Sequence, residues 1–600
     1  MIEFPKPDVE EMLQTVSIID FAVSPDEKQF IFCTNISGKY NLWAMDLPNA
    51  FPYRLTFNNQ PCHELLYDQE GRFVIAGFDH DGDENTQFYA LKPHGGAMKK
   101  VVYQENTRNF SPQLSSDGER LYYSSSKENP SYLNTYCLQL STGEETTVLE
   151  GSGGTTYIAE VSEDETTTLY YQFFSNTNSR YYARVGEEEI LLTPPTEKEH
   201  TVSFAVLTSP TEVYLVTDYE ADFSYLAKFD LETKTFTKVK EIPKEGFTTL
   251  IYDKENRILY ITAEKGVEDR LYAYHLDEGL WGNMVIPCDL ITKVAVAKSG
   301  TVYLLGGGSV QLGNVYKREG DKWVQITRNK MAGMAEEDFV APEVVTYPSF
   351  DGLEIEALFY KAKEEHDKGE MILWPHGGPQ HAERKSFNAI FQYFLSNGYS
   401  IFAPNFRGST GYGLNFTKMV ERAWGAGPRL DNIAALDWLI DQGYAKKGEI
   451  IVMGGSYGGY MSLLLHGRHA DYFKAVIDVC GPSNLFSFIH SVPEDWKSAM
   501  DAWVGHPERD REKLIEYSPS TYIDQMIKPM LVVQGANDPR VVKAESDQIV
   551  EALKEKGRDI TYIVMEDEGH GFAKKENEIA VFRQVLEFME KYASKTANVH

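Results

Sequence analysis

Six hundred residues are too many for one hydrophobic core, so at least two domains are expected. Hydrophobic residues make up 42% of the chain and charged residues 24%, the balance of an ordinary soluble globular protein. With 58 basic against 89 acidic residues the formal charge is −31, which argues against nucleic acid and anionic membranes as partners.

Cys33, Cys62, Cys137, Cys288 and Cys480 are scattered, odd in number and form no C-x-x-C pair. That spacing speaks against a disulfide framework and a zinc site, and it fits a reducing compartment. The N-terminus, Met1 to Asp8, is acidic and broken by prolines, with no apolar run of a leader behind it. No stretch approaches the ~18 apolar residues of a membrane span. The expected location is the cytoplasm.

The first half repeats itself. Turn anchors at Asp26, Glu70, Asp117, Asp164, Pro210, Glu255 and Ser299 are spaced by 44 to 47 residues. After each comes a strand rich in aromatic and branched residues, from Lys28–Asn35 to Thr301–Gly308, and then a second one such as Asn41–Leu47 or Arg270–Leu276. A period near 45 built from short alternating strands is that of a β-propeller blade with four strands. Seven repeats are present, and the last, Ile291 to Thr327, holds its own strands, so the ring need not borrow one from the N-terminus. Two β-sandwiches would have no reason to keep one period through seven units.

The pattern loosens between Arg328 and Phe339, which reads as a linker; the domains are placed at 1–335 and 336–600. Beyond it a hairpin, Glu343–Pro348 with Leu353–Tyr360, opens an alternation of strands and helices. The strands are Glu370–Trp374, Tyr399–Pro404, Ile450–Met453, Ala475–Val479, Met530–Gln534 and Thr561–Met565. The helices are Ala389–Asn397, Leu430–Gln442, Ala544–Lys556 and Glu578–Ser594. This is the signature of a doubly wound, mostly parallel sheet.

Chemistry gathers in loops after those strands. Ile450–Met453 runs into Gly454-x-Ser456-x-Gly458 and then a helix-compatible stretch, the context of a nucleophile elbow. A serine on so sharp a turn needs neighbours without a Cβ two positions away on each side. Asp538 follows the strand Met530–Gln534, and His570 follows Thr561–Met565. The order Ser456, Asp538, His570 is that of an α/β-hydrolase triad. Serine needs an imidazole to take its proton, and the carboxylate fixes the imidazole tautomer. Asp567 and Glu568 rank below Asp538, because they would have to fold back to reach Nδ1. The oxyanion needs N–H donors. The Tyr457 backbone supplies one, and Pro375-His376-Gly377-Gly378-Pro379 the other, with Gly378 favoured and Gly377 the near alternative. His376 reads as ordering that loop.

The hydrolase half carries His376-Gly-Gly-Pro379, Asn405-x-Arg407-Gly-Ser-x-Gly411-Tyr-Gly413, Gly454-Gly-Ser456-Tyr-Gly-Gly459, Asp538-x-Arg540 and Gly569-His570-Gly571. This set resembles the prolyl oligopeptidase family of serine peptidases, most closely its acylaminoacyl-peptidase-like members, and the propeller extends the resemblance over nearly the whole chain. The resemblance implies a peptidase whose propeller limits entry to short peptides. It implies that Arg540 binds a substrate carbonyl. It also implies an apolar pocket beyond Ala475–Val479, for which Phe486, Phe488, Ile489, Val492 and Trp496 are candidates. Assembly into a homo-oligomer is a further expectation of that kind. No metal or cofactor is expected.

Two positions depart from the family pattern: Gln534 stands where many relatives have histidine, and Ala426-Gly427-Pro428-Arg429 follows Trp424-Gly425. No paired-glutamate helix of the dipeptidyl-peptidase type is evident, which lowers that reading without removing it. A carboxypeptidase mode would pair Arg407 or Arg540 with a free C-terminus. An esterase remains open because the triad does not distinguish esters from amides, although a propeller filter would serve it little.

Overall fold

In a computed structural model, residues 7–48 and 50–593 are described. The start of the chain, Met1 to Lys6, and the expected helix end at Ser594 lie outside them. Seven four-stranded antiparallel sheets form the propeller, each built from four consecutive strands. The first runs Ile18–Val23, Gln29–Thr34, Asn41–Asp46, Tyr53–Arg54. The seventh runs Leu290–Val296, Val302–Gly308, Gln311–Glu319, Lys322–Gln325. The seventh blade thus closes on itself, as its sequence predicts.

The period has a visible physical origin. In three blades a serine hydroxyl donates to the turn aspartate two residues on: Ser24 to Asp26 at 2.7 Å, Ser115 to Asp117 at 2.6 Å and Ser162 to Asp164 at 2.7 Å. In those blades the local side-chain bonds fix the turn between the first two strands at the anchor.

The second domain holds an eight-stranded sheet. Numbered along the chain, its strands lie in the order 1-2-4-3-5-6-7-8. The hairpin Glu343–Pro348 and Glu354–Tyr360 is antiparallel, and Tyr399–Pro404 joins it antiparallel; from there to Ile560–Met565 all pairs are parallel. Helices cover both faces, so the central strands are apolar throughout: Ile450 to Met453 are fully buried. Carboxyl ends of parallel strands share one edge, which brings Ser456, Asp538 and His570 to the same side.

Three features were not legible in sequence. A short helix, Val9–Leu13, is capped by Asp8, whose carboxylate accepts from Glu10 and Glu11 N–H groups. Its Val9, Met12 and Leu13 pack in one core with Phe394, Phe582 and Phe588 of the hydrolase. The short extension Val9–Leu13, which lies ahead of the first blade within the stretch 1–335, therefore packs with the second domain. Third, four short helices between Leu485 and Tyr517 fill the crossover from Phe473–Val479 to Met530–Gly535.

Candidate active site

The elbow explains its own glycines. Ser456 sits at φ 56°, ψ −120°, a conformation costly for any residue with a side chain. It is held there by its N–H bond to Val479 O, at 2.8 Å, and by the Tyr460 N–H donating to Ser456 O at 2.9 Å. A Cβ on Gly454 would lie 2.5 Å from Gly458, and one on Gly458 would lie 2.1 Å from Pro375 O. Gly458 thus lets the 375–379 loop rest directly on the elbow helix.

That loop is rigidly ordered. His376 is buried and stacks on Phe406 with ring centroids 4.1 Å apart. Its Nε2 lies 2.8 Å from Ser409 Oγ and its Nδ1 2.7 Å from Gly377 O. Burial pushes its pKa down to about 3, which fits a neutral ring that shapes the loop. Of the two glycines weighed as oxyanion donors, Gly377 lies against the nucleophile, its Cβ position 3.6 Å from Ser456 Cβ. Gly378, at φ +117°, faces Gln380 and His381 of its own loop. Tyr457 is anchored by its hydroxyl, which donates to Trp424 O at 2.6 Å, so the backbone after the serine is fixed from below.

His570 Nδ1 donates to Asp538 Oδ2 at 2.6 Å. The other oxygen, Oδ1, accepts from the Arg540 and Val541 N–H groups, both at 2.9 Å. Gln534, the residue where relatives carry histidine, closes this loop: its amide donates to Gly535 O at 3.0 Å and Val541 O at 3.1 Å, and its carbonyl accepts from Ser546 Oγ at 2.7 Å. Asp567 and Glu568 are committed elsewhere. Asp567 binds Lys574 and Asn577, and Glu568 accepts from the Ala573 and Lys574 N–H groups.

Residues 385–596 match the prolyl oligopeptidase family. The chain carries a serine peptidase domain of that family. Over 97% of its length it is 26% identical to a Caenorhabditis elegans protein called dipeptidyl peptidase family member 6, covering 86% of that protein. It is 41% identical to dipeptidyl aminopeptidase BIII of Pseudoxanthomonas mexicana over 222 residues, 36% of this chain and 32% of that one. Among solved structures, a puromycin-hydrolysing peptidase of Mycobacterium tuberculosis superposes with a TM-score of 0.86 at 18% identity, covering 99% of this chain and 97% of that one. At that identity the superposition speaks for the shared architecture of propeller and hydrolase.

The propeller comes down onto the loops that carry Asp538 and His570. The Arg540 Nε donates to Glu84 Oε1 of the second blade at 2.6 Å, while its guanidinium lies 5.8 Å from the Trp496 ring centre. Glu84 also meets Arg108, which pairs with the buried Asp495 at 2.6 Å. Arg407 is spent on Asp351 and Asp431, with four contacts of 2.9 Å, so it has no fork to offer a substrate carboxylate.

A cavity of about 280 Å³ lies beside this cluster, lined by Tyr157, Tyr171 and Phe173 of the propeller and by Trp496, Met500 and Trp503 of the hydrolase. Trp503 packs on Trp424 at 5.0 Å, and Trp424 on Tyr457 at 5.1 Å, so the cavity is two aromatic layers from the residue after Ser456. Of the apolar pocket candidates, Trp496 alone lines it. Phe488, Ile489 and Val492 are buried in the hydrolase core, where helix packing rather than substrate claims them. Phe486 is half-buried against that core with Arg511 over its ring. The propeller aromatics went unforeseen because tyrosines in blade strands carry no local mark of facing a partner domain.

Proposed function

We propose that this is a peptidase of short peptides in which Ser456 attacks the scissile carbonyl. His570 is general base and then acid, and Asp538 holds its tautomer. The observation that carries the reading is the 2.6 Å bond between His570 Nδ1 and Asp538 Oδ2, on the same sheet edge as the strained serine. The Tyr457 N–H and the Gly377–Gly378 turn stabilise the oxyanion. Arg540 and Trp496 stand where the substrate chain would enter, and the aromatic cavity suits a bulky apolar side chain.

Charge on the roof supports a neutral N-terminus. Glu84 and Asp495 are each paired with arginine, so neither stands free for an ammonium. This favours acylated peptides. The second reading, release of dipeptides from free N-termini, is favoured by the names of the two relatives. It requires an ammonium to displace Arg540 from Glu84. We further propose a cytoplasmic location; assembly as a homo-oligomer is the family-based expectation to be tested alongside it.

A panel of acetylated, free-amine and free-carboxylate peptides separates the modes. Acetylated substrates are expected to have the highest kcat/KM. Cleavage confined to free amines would replace that reading with the dipeptidyl one. Fluorophosphonate should label Ser456, and labelling at another serine would remove the nucleophile assignment.

A further inference from the structure

The five cysteines are unpaired, and their spacing offered no metal site. The fold nevertheless assembles one non-locally. Cys480 follows the strand Phe473–Val479, is 5% exposed and has φ +53°. Its backbone N–H bonds Val533 O at 2.9 Å, which ties it to the strand that leads to Asp538. A ring nitrogen of His570, a carboxylate oxygen of Asp538 and the Cys480 sulfur all lie within 4.8 Å of one another.

We propose that Cys480, Asp538 and His570 form an inhibitory binding site for a divalent cation of the zinc class. Thiolate, imidazole and carboxylate are the donor set that zinc takes, whereas magnesium and calcium prefer oxygen alone. Bond lengths of roughly 2.0–2.3 Å place tetrahedral ligands about 3.3–3.7 Å apart. The cluster needs only to open the Asp538–His570 contact and draw in the sulfur. Asp538 is already oriented through Oδ1 by two backbone N–H groups, which serve as supporting bonds behind a ligand. The 12% of the His570 side chain that is exposed gives the ion a way in.

Coordination and catalysis exclude each other. The metal displaces the thiol proton, which goes to solvent, and takes the place of the single imidazole proton on Nδ1, which moves through solvent to Nε2. The ring proton that remains on a neutral, Nδ1-bound imidazole sits on Nε2. No lone pair is then left to accept the Ser456 proton, so a bound ion removes the base. The inhibitory effect rests on the triad reading above; the binding site itself does not.

The two are tested apart. Full-length Ser456→Ala protein is dialysed to equilibrium with Zn²⁺ in chelator-treated buffer, beside Ser456→Ala/Cys480→Ser. One equivalent is expected to be lost with the cysteine, above the weak background of an acidic surface. In the active protein, Zn²⁺ should lower the rate over the same concentrations, with reversal by EDTA and no effect of Mg²⁺. Cys480→Ser should raise the inhibitory concentration at least roughly tenfold relative to its own uninhibited rate. Equal stoichiometry with and without the thiol, or unchanged inhibition in Cys480→Ser, would overturn the proposal. Cys480→Ala serves as the second variant if serine is not tolerated. Fluorophosphonate labelling in metal-free buffer reports on the triad alone: labelling without thiol-dependent binding defeats only the metal site, and binding without labelling defeats only the peptidase reading.

Discussion

Two of the ionic seams along which the propeller meets the hydrolase look alike and differ in what lies behind them. At one, Lys574 joins Asp81 at 3.0 Å to Asp567 at 2.7 Å, Arg540 joins Glu84, and the backbone of Gly82 lies against Gly569, next to His570. At the other, Arg384 joins Asp269 at 2.6 Å and Glu264 at 3.5 Å, and Lys385 N–H bonds Val267 O at 3.1 Å. The first seam is continuous with the loops of Asp538 and His570; the second reaches only the stretch before the helix Ala389–Ser396. Similar chemistry therefore does different work. One seam shapes the catalytic loops, and the other holds the domains together.

The scale for any such effect is set by the triad itself. Asp538→Asn should keep the fold and lower kcat by about 10⁴, because the tautomer is lost. If Asp567→Asn did so instead, the acid would be misassigned. Against that ceiling Gly82→Val probes the first seam directly. Gly82 has φ +77°, and a Cβ there would lie 2.8 Å from Gly569 N, so valine must push the His570 loop or the blade loop aside. A displacement near 1 Å costs on the order of 10² in rate. Steady-state kinetics should show this in kcat with KM little changed; an unchanged kcat would make the first seam a mere anchor like the second.

A matched pair sharpens the contrast. Lys574→Met strands the partly buried Asp81, and Arg384→Met strands Asp269 and Glu264, so both should lower the thermal midpoint. Lys574→Met should also lower kcat several-fold, because Asp567 then loses one of its two tethers beside His570 and the link to Asp81 is cut. Arg384→Met should leave kcat within about twofold of the parent, and equal losses in both variants would erase the distinction between the seams.

Sequence made the two domains legible because their signals are local. In three blades the turns rest on serine and aspartate two residues apart, and the elbow's glycines answer to clashes within a few residues, although Gly458 is forced by Pro375 in the loop after another strand. The triad could be ordered because each member ends a recognisable strand. What lay beyond reach is non-local. Nothing near Arg540 announces Glu84, 456 positions earlier, and nothing near Val9 announces Phe582. Phe488, Ile489 and Val492 looked like pocket residues because an apolar helix face has the same composition whether it meets substrate or core. Gln534 was visible as a departure, but its clip across Gly535 and Val541 required the loop to be folded.

The smallest effect is expected from a residue on neither seam. Asp478 lies beneath the elbow helix, buried, with Oδ1 accepting from Gly481 N–H at 2.9 Å and Oδ2 without a partner. Burial raises its pKa from 3.8 to about 8. Its folded form therefore keeps a proton that the unfolded chain loses above about pH 4. This contribution to stability is full below that point, declines as pH rises, and is gone once pH passes about 8. Asn cannot ionise and retains an acceptor for Gly481. The thermal midpoint of Asp478→Asn relative to the parent should therefore climb from pH 5 to pH 8 and then level, with kcat near neutral pH little affected. Because both seams are intact in the variant, the same pH slope should persist in Arg384→Met. A slope that vanished there would mean that the ionisation acts through domain contact and that the elbow is not insulated from the second seam.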